Sequence, residues 1–249
     1  MTRKRILITG ASSGLGAGMA REFARLGRDL ALCARRVDRL EALRAELVAA
    51  HPDIRVFVRQ LDVNQHEQVF EVFRAFADDL GSLDRVIVNA GIGKGQPIGT
   101  GYFRANRQTA ETNFVSALAQ CEAALEILRR QGAGHLVTVC SVSAVRGMPR
   151  NLTTYAAAKA GLVALTEGIR ADLLGTPIRV TTICPGFIRS EMNERVKKTP
   201  FIVDTEAGCR AMVRAIEREV VSACVPWWPW APLAFLMKRL PLSVSSRLA

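Results

Sequence analysis

Along this chain, short runs of apolar and β-branched residues alternate with longer stretches whose apolar positions recur every three to four residues. The short runs predict strands over Arg5–Thr9, Asp29–Ala34, Ile54–Gln60, Leu83–Asn89, His135–Ser141, Ile178–Cys184 and Val220–Val225. The longer stretches predict helices over Leu15–Leu26, Val37–Ala50, Gln65–Leu80, Thr109–Arg130, Tyr155–Leu174 and Glu206–Arg218. Gly27 stands just past the first of these helices, a common place for a helix to end. Strands alternating with helices call for right-handed crossovers, and so for a parallel sheet with helices on both faces. Runs such as Val86-Ile87-Val88 lack polar alternation, as expected of strands buried on both sides. The expectation is an α/β fold with a doubly wound parallel sheet of about seven strands, in a single domain over residues 1–225. No internal repeat, low-complexity tract or interdomain linker interrupts it.

Two stretches break the alternation. Gly91–Arg107 is rich in glycine and polar residues and reads as a loop near a site. Beyond Glu219 no acidic residue occurs, and Pro226–Pro241 is dense in Trp, Pro and Leu. Residues 226–249 therefore read as an apolar, basic extension.

Composition narrows the class. A chain of 249 residues, 49% hydrophobic and 23% charged, can bury one substantial core and suits a globular protein. Its net charge of +11, from 34 Lys and Arg against 23 Asp and Glu, favours anionic partners: phosphorylated cofactors, membrane surfaces or nucleic acid. A basic solvated surface without a partner fits that balance equally well. No helix-turn-helix, zinc or RNA-stacking motif accompanies the charge, so nucleic acid is not expected. The six cysteines (Cys33, Cys121, Cys140, Cys184, Cys209 and Cys224) sit mostly in apolar runs, without a CxxC pair or a Cys/His cluster at metal spacing. They read as small buried hydrophobes in a reducing compartment, and no metal site is expected. The basic start lacks a signal-peptide core, and no run approaches the ~20 apolar residues of a membrane span, so a cytoplasmic location is expected.

The first predicted strand runs into Thr9-Gly10-Ala11-Ser12-Ser13-Gly14-Leu15-Gly16 and then a helix. Glycines there allow a tight turn and a close backbone approach to a pyrophosphate, and the helix start offers unpaired N–H groups. The spacing is not that of a P-loop, and no Gly-Lys-Ser/Thr follows. At the end of the second strand stands Cys33-Ala34-Arg35-Arg36, where an NAD site would carry an acid for the ribose 2′-OH. An arginine fork suits a 2′-phosphate instead, which favours NADP(H), with NAD(H) the lesser alternative. Asp38 follows the arginines and reads as part of the next helix.

Tyr155 and Lys159, four apart in Tyr155-Ala156-Ala157-Ala158-Lys159, share one face of a helix. An ammonium beside a phenol favours phenolate, making Tyr155 a candidate general acid or base. The pair follows a strand ending at Ser141, in a chain that opens with a nucleotide-binding turn.

Together, Thr9-Gly10-x-x-x-Gly14-x-Gly16, Asn89-Ala90-Gly91, Ser141, Tyr155-x-x-x-Lys159 and Pro185-Gly186 resemble the short-chain dehydrogenase/reductase family, over residues 4–225. The resemblance implies a Rossmann-type fold and hydride transfer between nicotinamide C4 and a carbonyl or alcohol carbon. It implies that Tyr155 exchanges a proton with the substrate oxygen, and that Lys159 binds the nicotinamide ribose and lowers the tyrosine pKa. Ser141 would orient the substrate oxygen, and Asn113 would anchor a proton-relay water beside the lysine. Asp62 and Val63 match the adenine contact, and Asn89, Ala90 and Gly91 the segment that steadies the sheet and lines the cofactor site. Pro185, Gly186, Ile188 and Ser190 match the carboxamide turn, and Thr9 to Gly16, with Ser12, Ser13 and Leu15, the pyrophosphate turn. A homodimer or homotetramer is implied as well.

Three positions depart from the family pattern. Ala158 stands where serine is common. Ser141 lies fourteen residues before Tyr155, one more than usual, which leaves Ser143 as a neighbour near the substrate. Ser13 replaces a frequent basic residue, so the NADP preference rests on Arg35 and Arg36. His51, His66, His135, Glu111 and Asp172 need no chemical role.

In the extension, Trp227, Trp228 and Trp230 precede Lys238 and Arg239. Such a mixture suits either peripheral contact with an anionic membrane or a cap over a substrate cleft or an oligomer contact, and both suit an apolar substrate. The leading reading is an NADP(H)-dependent oxidoreductase for a hydrophobic carbonyl or alcohol. The alternative is a catalytically idle NADP-binding regulator, against which the full Asn-Ser-Tyr-Lys set speaks.

Overall fold

The computed structural model describes residues 3–194 and 199–248. Its sheet comprises β1 (Arg5–Thr9), β2 (Asp29–Ala34), β3 (Val56–Gln60), β4 (Arg85–Val88), β5 (Gly134–Val139), β6 (Ile178–Pro185) and β7 (Ser222–Val225). The order is β3-β2-β1-β4-β5-β6-β7, and every pairing is parallel. This is the α/β parallel sheet expected from the alternation, in the Rossmann-like form that the resemblance implied. After β3 the chain crosses back to place β4 beside β1. That reversal opens a crevice at the carboxyl ends of the strands, the usual ligand position in such sheets.

Two apolar cores sandwich the sheet, because successive strand residues point to opposite faces. Ile6 and Ile8 of β1, with Leu30 and Leu32 of β2, face α1 (Gly14–Arg25), α2 (Val37–Ala50) and α7 (Thr205–Glu217). Leu7, Ala31 and Cys33 face α3 (His66–Leu80), α5 (Ser116–Gln131) and α6 (Thr153–Asp172). Both layers are apolar, which is why the strands carry no polar alternation.

The stretch read as a loop from Gly91 to Arg107 turns helical at Phe103, forming α4 (Phe103–Ala110). The single helix expected over Thr109–Arg130 is broken. Glu111–Val115 is a π turn between α4 and α5, an insertion that a 3.6-residue periodicity does not reveal. The extension is helical too, as α8 (Trp227–Arg239) and α9 (Leu242–Leu248). Its prolines hid this in the sequence. Trp228 has extended dihedrals (φ −96°, ψ 134°), so the regular helix begins at Pro229, where a missing N–H costs least, and Pro232 forfeits only the first intrahelical bond. No helix among the described residues is long and apolar enough to cross a membrane.

At the opposite end of the sheet from the crevice, fully buried Arg85 donates from Nε to His135 Nδ1 at 2.9 Å and pairs with Glu217. His135 Nε2 meets Thr181 Oγ1 at 2.8 Å, which fixes this histidine as part of the framework. Burial, then the charge of Arg85, holds its imidazole well below the usual range. His66 Nε2 lies 3.4 Å from Ser116 Oγ and 3.5 Å from Glu111 Oε1, tying α3 to the π turn and α5.

Candidate active site

The floor of the crevice is the β1–α1 turn. Gly10 and Gly14 have φ of 66° and 53°, conformations that side chains resist. A Cβ on Gly10 would lie 2.9 Å from Ala90 Cα, so only glycine lets this turn sit against the end of β4. Thr9 Oγ1 accepts hydrogen bonds from Asn89 N (3.0 Å) and Ala90 N (3.1 Å), and Asn89 Nδ2 donates to Thr9 O at 2.8 Å. Thr9 and Asn89 thus spend their polar groups tying β1 to β4 at the switch point. Ser13, before α1, makes no side-chain cap, and the first turn of α1 holds no acid. Its N–H groups and dipole are left for an external anion.

Arg36 reaches back over this turn. Its Nη2 donates to Ser13 Oγ at 2.6 Å and its Nε to Ser12 Oγ at 3.3 Å. Its Nη1 pairs with Glu191 at 3.0 Å, and Arg39 pairs with the same carboxylate. Those two arginines, Arg39 first, hold Glu191 below the usual carboxylate range. Arg35 is exposed, and its side chain has no hydrogen-bond or ionic partner among the described residues; only its carbonyl is engaged, accepting from Gln60 Nε2 at 3.1 Å. The structure therefore divides the paired arginines: Arg36 faces the glycine turn with Arg39, which the sequence reading did not single out, while Arg35 does not. After β3, Asp62 Oδ1 accepts from Asn64 N at 3.1 Å, and Val63 is buried. Asn64 was also missed; its Oδ1 accepts from Thr112 Oγ1 (3.1 Å) and Ser116 Oγ (2.8 Å), tying the β3–α3 loop to the π turn.

The π turn presents Asn113. Its amide clamps Ile92 from both sides, with Nδ2 donating to Ile92 O at 2.7 Å and Oδ1 accepting from Ile92 N at 2.9 Å. A Cβ on Gly91 would lie 2.8 Å from Asn113 Oδ1 and 3.5 Å from Lys159 Nζ, so all three converge. Lys159 is buried and donates to Val139 O at 2.8 Å. Ser141 follows β5, and its Oγ accepts from Ser143 N (3.2 Å) and Ser143 Oγ (2.9 Å). Ser143 thus orients Ser141 directly.

Burial pushes the Tyr155 hydroxyl up to about 12, against the downward pull of the Ser141 hydroxyl. Lys159, the residue expected to depress it, is not among the groups that set this value in the free chain. The lysine ammonium is turned to the Val139 carbonyl, and burial lowers its own pKa. The Cys140 thiol, beside Ser141, is pulled down by Cys184 and then by the Lys159 charge. All six cysteines are free; Cys184 and Cys224 are only half-buried, unlike the other four.

The opposite wall follows β6. Pro185 and Ile188 are buried, and Ile188 forms a parallel bridge with Val203. Asn193 pins this wall, donating from Nδ2 to Ile188 O at 2.7 Å and accepting from Ser190 N at 2.9 Å. A Cβ on Gly14 would lie 3.3 Å from Ser190 Cβ, so the wall closes onto the glycine turn. Gly186 N donates to Val225 O at 2.9 Å, and the Trp230 indole occupies the space a Gly186 side chain would need. Phe187 and Phe201 meet the same indole edge-on, at 5.6 Å and 6.2 Å between centroids.

A dinucleotide fits this crevice. The tight glycine turn, the uncapped start of α1 and the guanidinium over Ser12 and Ser13 form one continuous anion-accepting floor. Residues 4–200 match the short chain dehydrogenase family. The chain belongs to that family and is an NAD(P)-dependent oxidoreductase. An uncharacterized oxidoreductase of Mycobacterium tuberculosis is 55% identical over 249 residues, covering 100% of this chain and 98% of its own. Farnesol dehydrogenase of Aedes aegypti is 33% identical over 196 residues, 76% of this chain and 79% of its own. The structure of an alcohol dehydrogenase of Thermococcus sibiricus complexed with 5-hydroxy-NADP has a TM-score of 0.80 and 27% identity, covering 89% of this chain and 95% of that one.

Proposed function

We propose that this protein is an NADP(H)-dependent reductase of apolar carbonyl compounds, of lipid, steroid or long-chain type, able to run in reverse on the secondary alcohol. The observation that carries the reading is the meeting of Tyr155, Ser141, Lys159 and Asn113 beside the glycine-floored crevice. Bound there, the nicotinamide would supply or accept a hydride at C4.

The chain's own groups would handle the proton. Ser141 Oγ accepts two bonds from Ser143, so its one hydrogen, shared with the Tyr155 hydroxyl in the free chain, would turn to a substrate oxygen. Tyr155, protonated through neutral pH, would give its proton to the same oxygen as the carbonyl is reduced. Lys159, fixed by Val139 O, would bind the nicotinamide ribose hydroxyls, and Asn113 would hold the adjoining backbone and a relay water. Arg36, with Ser12 and Ser13, would take the 2′-phosphate, which supports NADP(H) over NAD(H). Exposed Ile98, Tyr102 and Phe103, and the tryptophans of α8, support an apolar substrate, as does the likeness to a farnesol dehydrogenase. A homodimer or homotetramer is part of the proposal, on family resemblance.

The test is a screen of ketones, steroids and long-chain aldehydes with NADPH, followed by the absorbance of the reduced cofactor. Tyr155→Phe should retain cofactor binding and lose ~10²–10⁴ in turnover, the usual worth of one acid/base group. Tight NADPH binding with no turnover of any carbonyl would favour the idle regulator instead.

A further inference from the structure

Helix α8 has two unlike faces. The inner one is fastened to the crevice: Trp230 is buried against Gly186, and Arg146 Nη1 donates to Met237 O and Leu240 O, both at 2.7 Å. The outer one carries Pro232, Phe235, Leu236 and Arg239 at three- and four-residue spacing, all exposed. Trp227 and Trp228 stand at its start, and Leu242 and Val244 of α9 continue the apolar surface. Trp228 is 70% exposed and Phe235 61%, values unusual for such large side chains in water. The Arg239 guanidinium lies 3.7 Å from the centroid of the Phe235 ring, and Lys238 is exposed beside it. Because the inner face is pinned, the outer face is presented in one fixed orientation.

We infer that this outer face docks on the surface of an anionic lipid bilayer. Tryptophan prefers the boundary between headgroups and acyl chains, and cations beside an apolar patch are drawn to negative lipid. The chain beyond Glu219 contains no acid to repel such a surface, and the whole chain carries +11. A second copy of this chain is a poorer occupant. Isologous contact would bring Lys238 and Arg239 of both copies to one interface, with no carboxylate from the extension to neutralise them. A shallow, open groove lies between Leu242, Ser243 and Ser246 of α9 and Gly147, Met148 and Pro149, in the loop that follows Ser141. Docking would bring this groove, beside the loop that follows Ser141, close to the bilayer, from which an apolar carbonyl could reach it. That consequence rests on the reductase reading; the docking does not.

The experiment is co-sedimentation of the full chain with vesicles of equimolar phosphatidylcholine and phosphatidylserine, beside pure phosphatidylcholine vesicles. Binding is expected on the anionic vesicles at low salt, weakening as salt rises. Lys238→Glu with Arg239→Glu should cut it at least about tenfold, since each cation near such a surface matters. Phe235→Ser with Leu236→Ser should weaken binding to both kinds of vesicle, with circular dichroism confirming the fold. Absence of binding at low salt, or binding insensitive to both double variants, overturns the inference. So does a loss of oligomer, seen by light scattering, in the Phe235→Ser/Leu236→Ser variant with vesicle binding unchanged; that result assigns the face to a second copy. None of these readouts involves catalysis, so the docking can fail while the reductase reading stands, and the reverse.

Discussion

Arg36 and Arg35 are neighbours in sequence with opposite surroundings, and exchanging each for alanine separates a cofactor contact from a surface charge. Arg36 would meet a 2′-phosphate with its guanidinium already steadied by Ser12 and Ser13, at the cost of its pairing with Glu191. A charge-assisted hydrogen bond is worth ~1.5–3 kcal/mol. The Arg36–Glu191 pair is exposed on both sides, so giving it up costs only ~0.2–1 kcal/mol. The net preference is therefore about 1–2 kcal/mol, or roughly five- to thirtyfold in affinity. Arg36→Ala should weaken NADPH by that factor and leave NADH nearly unchanged. Arg35→Ala should leave both alone. Glu191→Gln removes the competing carboxylate and should tighten NADPH by roughly two- to fivefold. The assay is quenching of tryptophan emission on titration with each reduced cofactor, which needs no substrate. Equal loss of NADPH and NADH affinity in Arg36→Ala, or equal effects of the two arginines, would refute the assignment.

Other outcomes follow from the same geometry. The chain has two tyrosines, so the alkaline difference spectrum between wild type and Tyr155→Phe isolates one phenol. It should show no phenolate until pH passes about 10, because burial raises the folded pKa to about 12; a phenolate near neutral pH would sink the burial argument. The sign is that of a raised pKa: this phenol adds stability below its unfolded value of 10, and the contribution fades as pH climbs towards 12. Glu217→Ala strips the buried Arg85 of its main partner and should cost roughly 3 kcal/mol in urea unfolding; a loss below about 1 kcal/mol would mean that water or Glu219 replaces the pair. Gly186→Ala thrusts a methyl into the Trp230 indole, so about 1–3 kcal/mol of stability should go, with a red shift of tryptophan emission as α8 lifts.

Patterning alone determined the sheet and its two covering layers, because burial on both faces leaves a signature in every strand. The glycine turn was equally plain, since positive φ and close approach to Ala90 demand glycine wherever the rest of the chain goes. The site's order along the chain was also legible, from Asn89 and Asn113 to Ser141, Tyr155 and Lys159. What sequence could not supply were distances between segments far apart in it. Glu191 lies 155 residues from Arg36, and nothing local marks the two as partners. Asn64 and Asn193 look like ordinary loop residues until the π turn and the β6 wall come to meet them. The π turn hid inside an unbroken helical pattern, and prolines concealed α8 because their tolerance depends on where the regular helix begins. The direction of the Tyr155 pKa was set in the same way. The i, i+4 spacing places a cation on its helix face, but only the packed structure turns that cation to Val139 O and lets burial win.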